Sequence, residues 1–146
     1  MITQSEADRL LELRKVVTSR ETMNLPIKGK KSWDLESDDG SEKFIIDVWC
    51  GKIEMTRYST NHRYRKDIVL ARVCVNNQPH MNPNGDIISE PHLHLYREGL
   101  GDKYAIPLPK EFFSAPHDIV CTTREFLAYC NVVEHPEVQQ QGGLFP

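Results

Sequence analysis

Two segments, one near each end of the chain, carry apolar residues at helical spacing. In the first, apolar side chains recur every three or four residues, and Thr3 with Glu6 forms a capping box in front of them. This pattern predicts a helix over residues 3–20. In the second, Asp118 is a suitable N-cap for an apolar stripe, which predicts a helix over residues 118–131.

Between these segments, apolar residues alternate with polar ones or form short runs, which indicates β-strands. The connections have hairpin length and are too short for parallel crossovers. Strands are predicted at residues 32–35, 42–50, 52–60, 67–75, 91–98 and 103–108. The sequence therefore predicts a single α+β domain over residues 1–133, with both helices packed on one face of a curved antiparallel sheet of five or six strands. Residues 134–146 are rich in Pro, Gln and Gly, and we expect a mobile tail there.

The alternation is strictest at residues 91–98, within the segment that holds most of the chemically active side chains. In a strand it turns Leu93 and Leu95 toward the core. The polar side chains point to the opposite face, and they are His92, His94, Tyr96 and Glu98. Two imidazoles and a phenol in register predict a cleft, whereas the alternative is the solvated outer face of an antiparallel sheet.

Cationic residues near this strand suggest a phosphate-containing substrate. Arg72 interrupts a valine-rich predicted strand, where it extends to solvent, pairs with a carboxylate or points into a site. Residues 61–66 predict a basic loop with an aromatic residue in its middle, a combination that suits RNA, although it also fits an ordinary charged turn. The predicted substrate-binding residues are Arg63, Tyr64, Arg65, His80 and Asn82.

Two chemistries fit the histidine strand. A ribonuclease without a metal needs a base, an acid and cations around the phosphate. The predicted catalytic residues are His92, His94, Tyr96, Glu98 and Arg72. Alternatively, His-x-His on one face of a strand binds zinc or another divalent metal when a neighbouring element adds a third ligand. His80, Asp86 and Glu90 are candidates for it, with His80 preferred, and the protein is then a metal-dependent hydrolase.

Composition narrows the class of protein. The chain has 146 residues, 39% of them hydrophobic and 27% charged, and a net charge of −3, so nucleic-acid contact requires a local basic patch. No apolar run approaches the ~20 residues of a membrane helix, and the N-terminus has no signal-peptide character. The four cysteines are scattered without a Cys-x-x-Cys pair. We therefore expect a cytoplasmic protein with reduced, buried cysteines and no membrane partner.

Five sequence blocks have a specific residue order. They are Thr-Gln-Ser-Glu-Ala-Asp-Arg-Leu-Leu at 3–11, Pro-His-Met-Asn-Pro-Asn-Gly-Asp at 79–86, Pro-His-Leu-His-Leu-Tyr-Arg-Glu-Gly at 91–99, Gly-Asp-Lys-Tyr-Ala at 101–105 and Tyr-Cys-Asn-Val at 129–132. Together they resemble an uncharacterised family of small bacterial proteins, catalogued only as a domain of unknown function. The resemblance covers nearly the whole chain and implies a family without an activity.

A second likeness covers the middle third of the chain. The Arg-Tyr-Arg sequence at 63–65, Arg72, Pro-His at 79–80 and Pro-His-x-His at 91–94 are similar to TumE-like toxins of bacterial toxin–antitoxin pairs, which carry Pro-His-x-x-His at the last position. This likeness implies a toxin-like protein that acts on RNA and binds an antitoxin. The alternative is a non-catalytic interaction module of a mobile element or defence system.

Overall fold

The computed structural model describes residues 1–51 and 56–140. Its helices are α1 (Gln4–Glu12) and α2 (Ile119–Tyr129). Its strands are β1 (Lys15–Val17), β2 (Met23–Asn24), β3 (Gly29–Ser37), β4 (Lys43–Cys50), β5 (Tyr58–Tyr64), β6 (Ile68–Val75), β7 (His80–Met81), β8 (Ile87–Ile88), β9 (His92–Leu95), β10 (Ala105–Pro107), β11 (Val132–Glu134) and β12 (Val138–Gln139). The predicted α+β class is confirmed.

One large sheet forms the centre of the fold. Its strand order is β10-β9-β6-β5-β4-β3-β1-β11, and two small sheets pair β12 with β2 and β7 with β8. Neighbouring strands of the large sheet run antiparallel, except that β1 and β11 are parallel. The prediction of five or six antiparallel strands was therefore wrong in number and in direction, because β1 and β11 were assigned to the helices and their ends.

The N-terminal helix is shorter than its apolar pattern suggested. Thr3 caps it as predicted, since its hydroxyl accepts a hydrogen bond from the Glu6 amide over 3.1 Å. The helix ends at Glu12 with Leu13 as its C-cap, and the chain continues into β1, so the helix does not reach residue 20. The β-branched pair Val16 and Val17 favours a strand there. The apolar residues past residue 13 thus belong to a strand. Over so few residues, the alternation of a strand resembles the apolar stripe of a helix.

Both helices pack on the same face of the large sheet, which we call the helix face. Leu93 and Leu95 of β9 line a cleft together with Ala7 and Leu11 of α1. At the other helix, the Tyr58 hydroxyl of β5 donates to the carbonyl of Pro116 just before α2. The core lies in this layer, so residues that alternate with Leu93 point to the opposite face, which we call the outer face.

The chain beyond α2 is docked for part of its length. Val138 of β12 is buried and pairs with Met23 of β2, so the segment predicted as a tail contributes a short strand to the fold, and its mobility stays a prediction. Residues 141–146 at the end of this segment lie outside the described residues, as do residues 52–55 of the predicted strand at 52–60. Neither described helix has the length and apolar character needed to cross a bilayer.

Candidate metal centre

Strand pairing brings a cysteine opposite the His-x-His sequence. In the register of β6 with β9, Cys74 lies opposite His92 and Arg72 lies opposite His94. Residues that face each other in an antiparallel pair share one face of the sheet. Since Leu93 points to the helix face, all four side chains project from the outer face.

Cys74, His92 and His94 form a compact group of potential metal ligands, which we call the triad. One donor atom from each residue lies within 4.8 Å of the donor atoms of the other two. The three residues are buried, with exposed fractions of 8%, 4% and 2%. The two imidazole rings meet edge to face with centroids 5.1 Å apart. A thiol and two imidazoles are thus held together away from bulk water.

Backbone carbonyls fix the tautomers of both triad histidines. Nδ1 of His92 lies 3.0 Å from the carbonyl oxygen of Glu90, and Nδ1 of His94 lies 2.8 Å from that of Asp102. A carbonyl oxygen only accepts hydrogen bonds, so Nδ1 carries the proton in each neutral ring and Nε2 keeps its lone pair. Histidine ligands of metals almost always have this second hydrogen bond.

A third imidazole adjoins the triad. The ring of His80, in β7, lies 4.6 Å from the ring of His94 and 5.9 Å from the ring of His92, measured between centroids. Its Nε2 lies 2.7 Å from the carbonyl oxygen of Lys103. The predicted association of His80 with the histidine pair is therefore seen, although His80 is outside the group whose donor atoms all lie within 4.8 Å of one another.

Burial keeps the triad uncharged when no metal is bound. It lowers the pKa of His92, and burial together with the charge of Arg72 lowers the pKa of His94 to about 4. Burial also raises the pKa of the Cys74 thiol, although Arg72 opposes this. At neutral pH the two imidazoles therefore offer electron pairs, whereas the thiol gives up its proton when it binds a metal. A thiolate with two imidazoles is a donor set that zinc and other thiophilic transition metals prefer, and the metal itself lowers the pKa of the thiol.

Two of the predicted catalytic residues lie elsewhere. The β9 strand ends at Leu95, so the alternation stops before Tyr96. Tyr96 is buried on the helix side, and its hydroxyl donates to the carbonyl of Ile2. Glu98 accepts a hydrogen bond of 2.7 Å from the backbone amide of Gln4. Both residues hold the start of α1, so the prediction that they share a face with the histidines was wrong.

The predicted basic loop is a strand. Asn61 through Tyr64 belong to β5, where successive side chains alternate between faces. Arg63 lies on the outer face and donates to Asp47 from Nε over 2.7 Å and from Nη2 over 3.1 Å. Tyr64 points the other way and donates to Glu42 over 2.8 Å. Arg65 follows in the turn, 4.8 Å from the Tyr64 ring. These residues form no common basic patch.

The remaining predicted residues have structural contacts around the triad. Asn82 is buried and exchanges two hydrogen bonds of 2.8 Å with the backbone of Ala105 in β10. Asp86 accepts from the side chain of Asn84, and Glu90 contributes its carbonyl to His92. Cys74 is the site residue that sequence reasoning missed. Only the register of β6 with β9 reveals it, because its position in the sequence is that of an ordinary core cysteine.

Comparison with known proteins identifies the family and nothing more specific. Residues 2–132 match the model of a family of unknown function (DUF6978), and the chain belongs to this family. No curated protein and no solved structure is similar enough to the chain to count as a match. The family assignment agrees with the whole-chain resemblance noted in the sequence, while the likeness to TumE-like toxins remains a prediction.

Proposed function

We propose that this protein binds a thiophilic transition metal ion, zinc in the first place, through Cys74, His92 and His94. One observation carries the proposal: three buried donors from two paired strands lie within 4.8 Å of one another. The fixed tautomers add to it, since each imidazole turns a free Nε2 away from its backbone partner.

The surroundings favour a stabilising metal over an open catalytic one. Structural zinc sites are closed by protein, whereas catalytic sites keep a position for water and substrate. The triad residues are buried, and the ring of His80 lies against that of His94 at the edge of the group. A metal there joins β6 to β9 and supports the edge of the large sheet, because β10 pairs with β9. Hydrolysis at this metal is a weaker proposal.

The ribonuclease without a metal stays a prediction with less support. Its general acid has to be protonated near the working pH, which favours a pKa near neutrality. Both imidazoles are buried, and Tyr96 and Glu98 are not beside them. It has its own test in the cell: the His92→Ala/His94→Ala variant should lose growth inhibition. Harmless wild-type protein, or equal inhibition by the variant, excludes it.

Cobalt substitution tests the metal proposal. The purified protein is stripped of metal, titrated with Co²⁺ and followed by absorption. We expect one Co²⁺ per chain and a thiolate-to-cobalt charge-transfer band in the near ultraviolet. Cys74→Ala should remove this band, and His92→Ala or His94→Ala should weaken binding. Cys121→Ala is the matched control, because Cys121 lies near the start of α2 and outside the triad. A spectrum without the band in the wild type excludes the proposal.

A further inference from the structure

His80 has the features of a ligand that is not yet in place. Its Nε2 lies 2.7 Å from the carbonyl oxygen of Lys103, so Nε2 carries the proton and Nδ1 keeps a lone pair. Its ring is 4.6 Å from the His94 ring, closer than the 5.1 Å between the two triad rings. Nδ1 is therefore the ring nitrogen of His80 that is available to a cation shared with the two triad imidazoles.

One short loop orients both His80 and His94. The neighbouring carbonyls of Asp102 and Lys103 accept the ring protons of His94 and His80. The loop itself is held in a tight turn, since Gly101 has a φ of 65° and its amide donates to the carbonyl of Arg97 over 2.8 Å. Anchoring two imidazoles to successive peptide groups of one turn is the outer-shell support that metal sites use to fix their ligands.

His80 is carried by a two-stranded hairpin whose tip is exposed. In the β7–β8 pair, His80 lies opposite Ile88 and Met81 lies opposite Ile87. The Met81 and Ile87 side chains are 63% and 59% exposed. A two-stranded hairpin is marginally stable by itself. This one is held to residues 103–105 by side-chain hydrogen bonds of His80, Asn82 and Asn84. A bond from His80 to a metal adds a tether to the triad itself.

We propose that His80 is the fourth metal ligand and that metal binding draws the β7–β8 hairpin onto the sheet. This inference rests on the proposed metal site. It turns a three-ligand group into a Cys-His₃ set, the four-coordinate closed arrangement of structural zinc sites. His80 lies outside the group of donors within 4.8 Å, so the hairpin moves toward the triad when Nδ1 joins it. The position of the hairpin then depends on the metal.

The first test compares metal affinity and cobalt spectra of the wild type, His80→Ala and His80→Gln. Glutamine keeps an amide donor for the Lys103 carbonyl but is a poor ligand. Loss of an outer-shell partner weakens metal binding by roughly 10–100-fold. We expect both His80 variants to bind the metal more weakly by at least this factor. The visible bands of four-coordinate Co²⁺ should weaken while the thiolate band remains. His135→Ala, at an exposed histidine outside the cluster, should behave as the wild type.

The second test follows hydrogen exchange of residues 79–89 with and without Zn²⁺. Zinc should slow exchange there in the wild type, and this protection should be lost in both His80 variants while α2 stays protected. The inference is overturned if either His80 variant folds and keeps the metal affinity, the cobalt spectrum and the hairpin exchange of the wild type. The three-ligand site then stands. A wild type without the thiolate band overturns both proposals. The two failures are therefore distinguishable.

Discussion

Arg72 donates a hydrogen bond of 2.8 Å from Nη1 to Oδ2 of Asp102. The same aspartate uses its backbone carbonyl to accept from Nδ1 of His94 over 2.8 Å. Asp102 therefore serves the candidate metal centre through two separate groups. Its carbonyl orients His94, a proposed ligand, and its carboxylate balances the guanidinium of Arg72, which lies opposite His94 in the register of β6 with β9.

The two roles of Asp102 are separable by mutation. Asp102→Asn keeps the backbone carbonyl and the approximate shape of the side chain but removes its charge. The guanidinium of Arg72 is then unbalanced beside the site and repels a dication, so we expect metal binding to weaken by roughly 10-fold. Competition with a chelator measures this. Asp38→Asn, which breaks the exposed ion pair with Arg14, is the control, and equal affinity of the Asp102 and Asp38 variants contradicts the prediction.

Tyr96 supports α1 and not the metal centre. Its hydroxyl donates to the carbonyl of Ile2 in a largely buried contact. Tyr96→Phe removes that bond and keeps the ring, so the free energy of unfolding should fall by about 1 kcal/mol while metal affinity stays unchanged. Urea unfolding and cobalt titration give the two readouts. If Tyr96→Phe keeps the stability of the wild type but binds metal less well, the prediction is contradicted and Tyr96 acts at the metal centre.

Alternation along the sequence predicted which face each of the central histidine-strand residues occupies. Leu93 is fully buried in the core, and His92 and His94 share the outer face. The same rule failed at Tyr96 because a period of two holds only while the strand continues, and the strand ends at Leu95. The end of β9 depends on its pairing with β6, which reaches Leu95, and with β10, which reaches His94, and this pairing is a tertiary property.

The partners of the histidines were not predictable from the sequence. Cys74 enters the triad through the register of β6 with β9, between strands separated by the whole β7–β8 hairpin. The carbonyls that fix the imidazoles belong to loop residues whose side chains gave no reason to expect this role. Likewise, Arg63 looked available to phosphate, but β5 places it against Asp47 of the neighbouring strand. Residue types suggest a site, whereas register and loop conformation determine its composition.

His62 should make the protein less stable in mild acid. It is fully buried beside Phe44, and neither ring nitrogen has a hydrogen-bond partner within residues 1–51 and 56–140. Burial, and then the charge of Lys15, hold the pKa of His62 well below 6.5. The unfolded chain takes up this proton near pH 6.5 and the folded chain does not, so stability falls as the pH falls below 6.5.

Replacement of His62 isolates this contribution. Between pH 6.5 and pH 5 the unfolding free energy of the wild type should fall as the pH falls, and in His62→Leu this fall should be smaller. The missing histidine proton lowers the slope by up to about 1.4 kcal/mol per pH unit. His92 and His94 remain in both proteins, so their contributions cancel in the difference. Urea unfolding at several pH values measures the slopes. His117→Leu, at an exposed position, should keep the wild-type slope, and an unchanged slope in His62→Leu contradicts the prediction.

Lys15 joins the ends of the two helices. Its Nζ donates to the carbonyls of Leu11 and Leu13 at the end of α1, over 2.8 Å and 2.9 Å, and to that of Cys130 at the end of α2, over 2.8 Å. The side chain is fully buried, and burial lowers its pKa to about 8. A cation placed among helix C-terminal carbonyls also compensates both helix dipoles.

Lys15→Met should therefore be strongly destabilising, although it keeps the length and apolar stem of the side chain. Three carbonyls lose their donor, and the one of Cys130 does so in a buried contact, so we expect the free energy of unfolding to fall by about 3 kcal/mol. Lys31→Met is the matched control, since Lys31 is exposed 5.8 Å from the Trp33 ring, and it should change stability by no more than about 0.5 kcal/mol. Urea unfolding of both variants gives the comparison. Equal stabilities of the Lys15→Met and Lys31→Met variants would contradict the prediction. In that case the cost of desolvating the buried ammonium equals the stabilisation from its three hydrogen bonds.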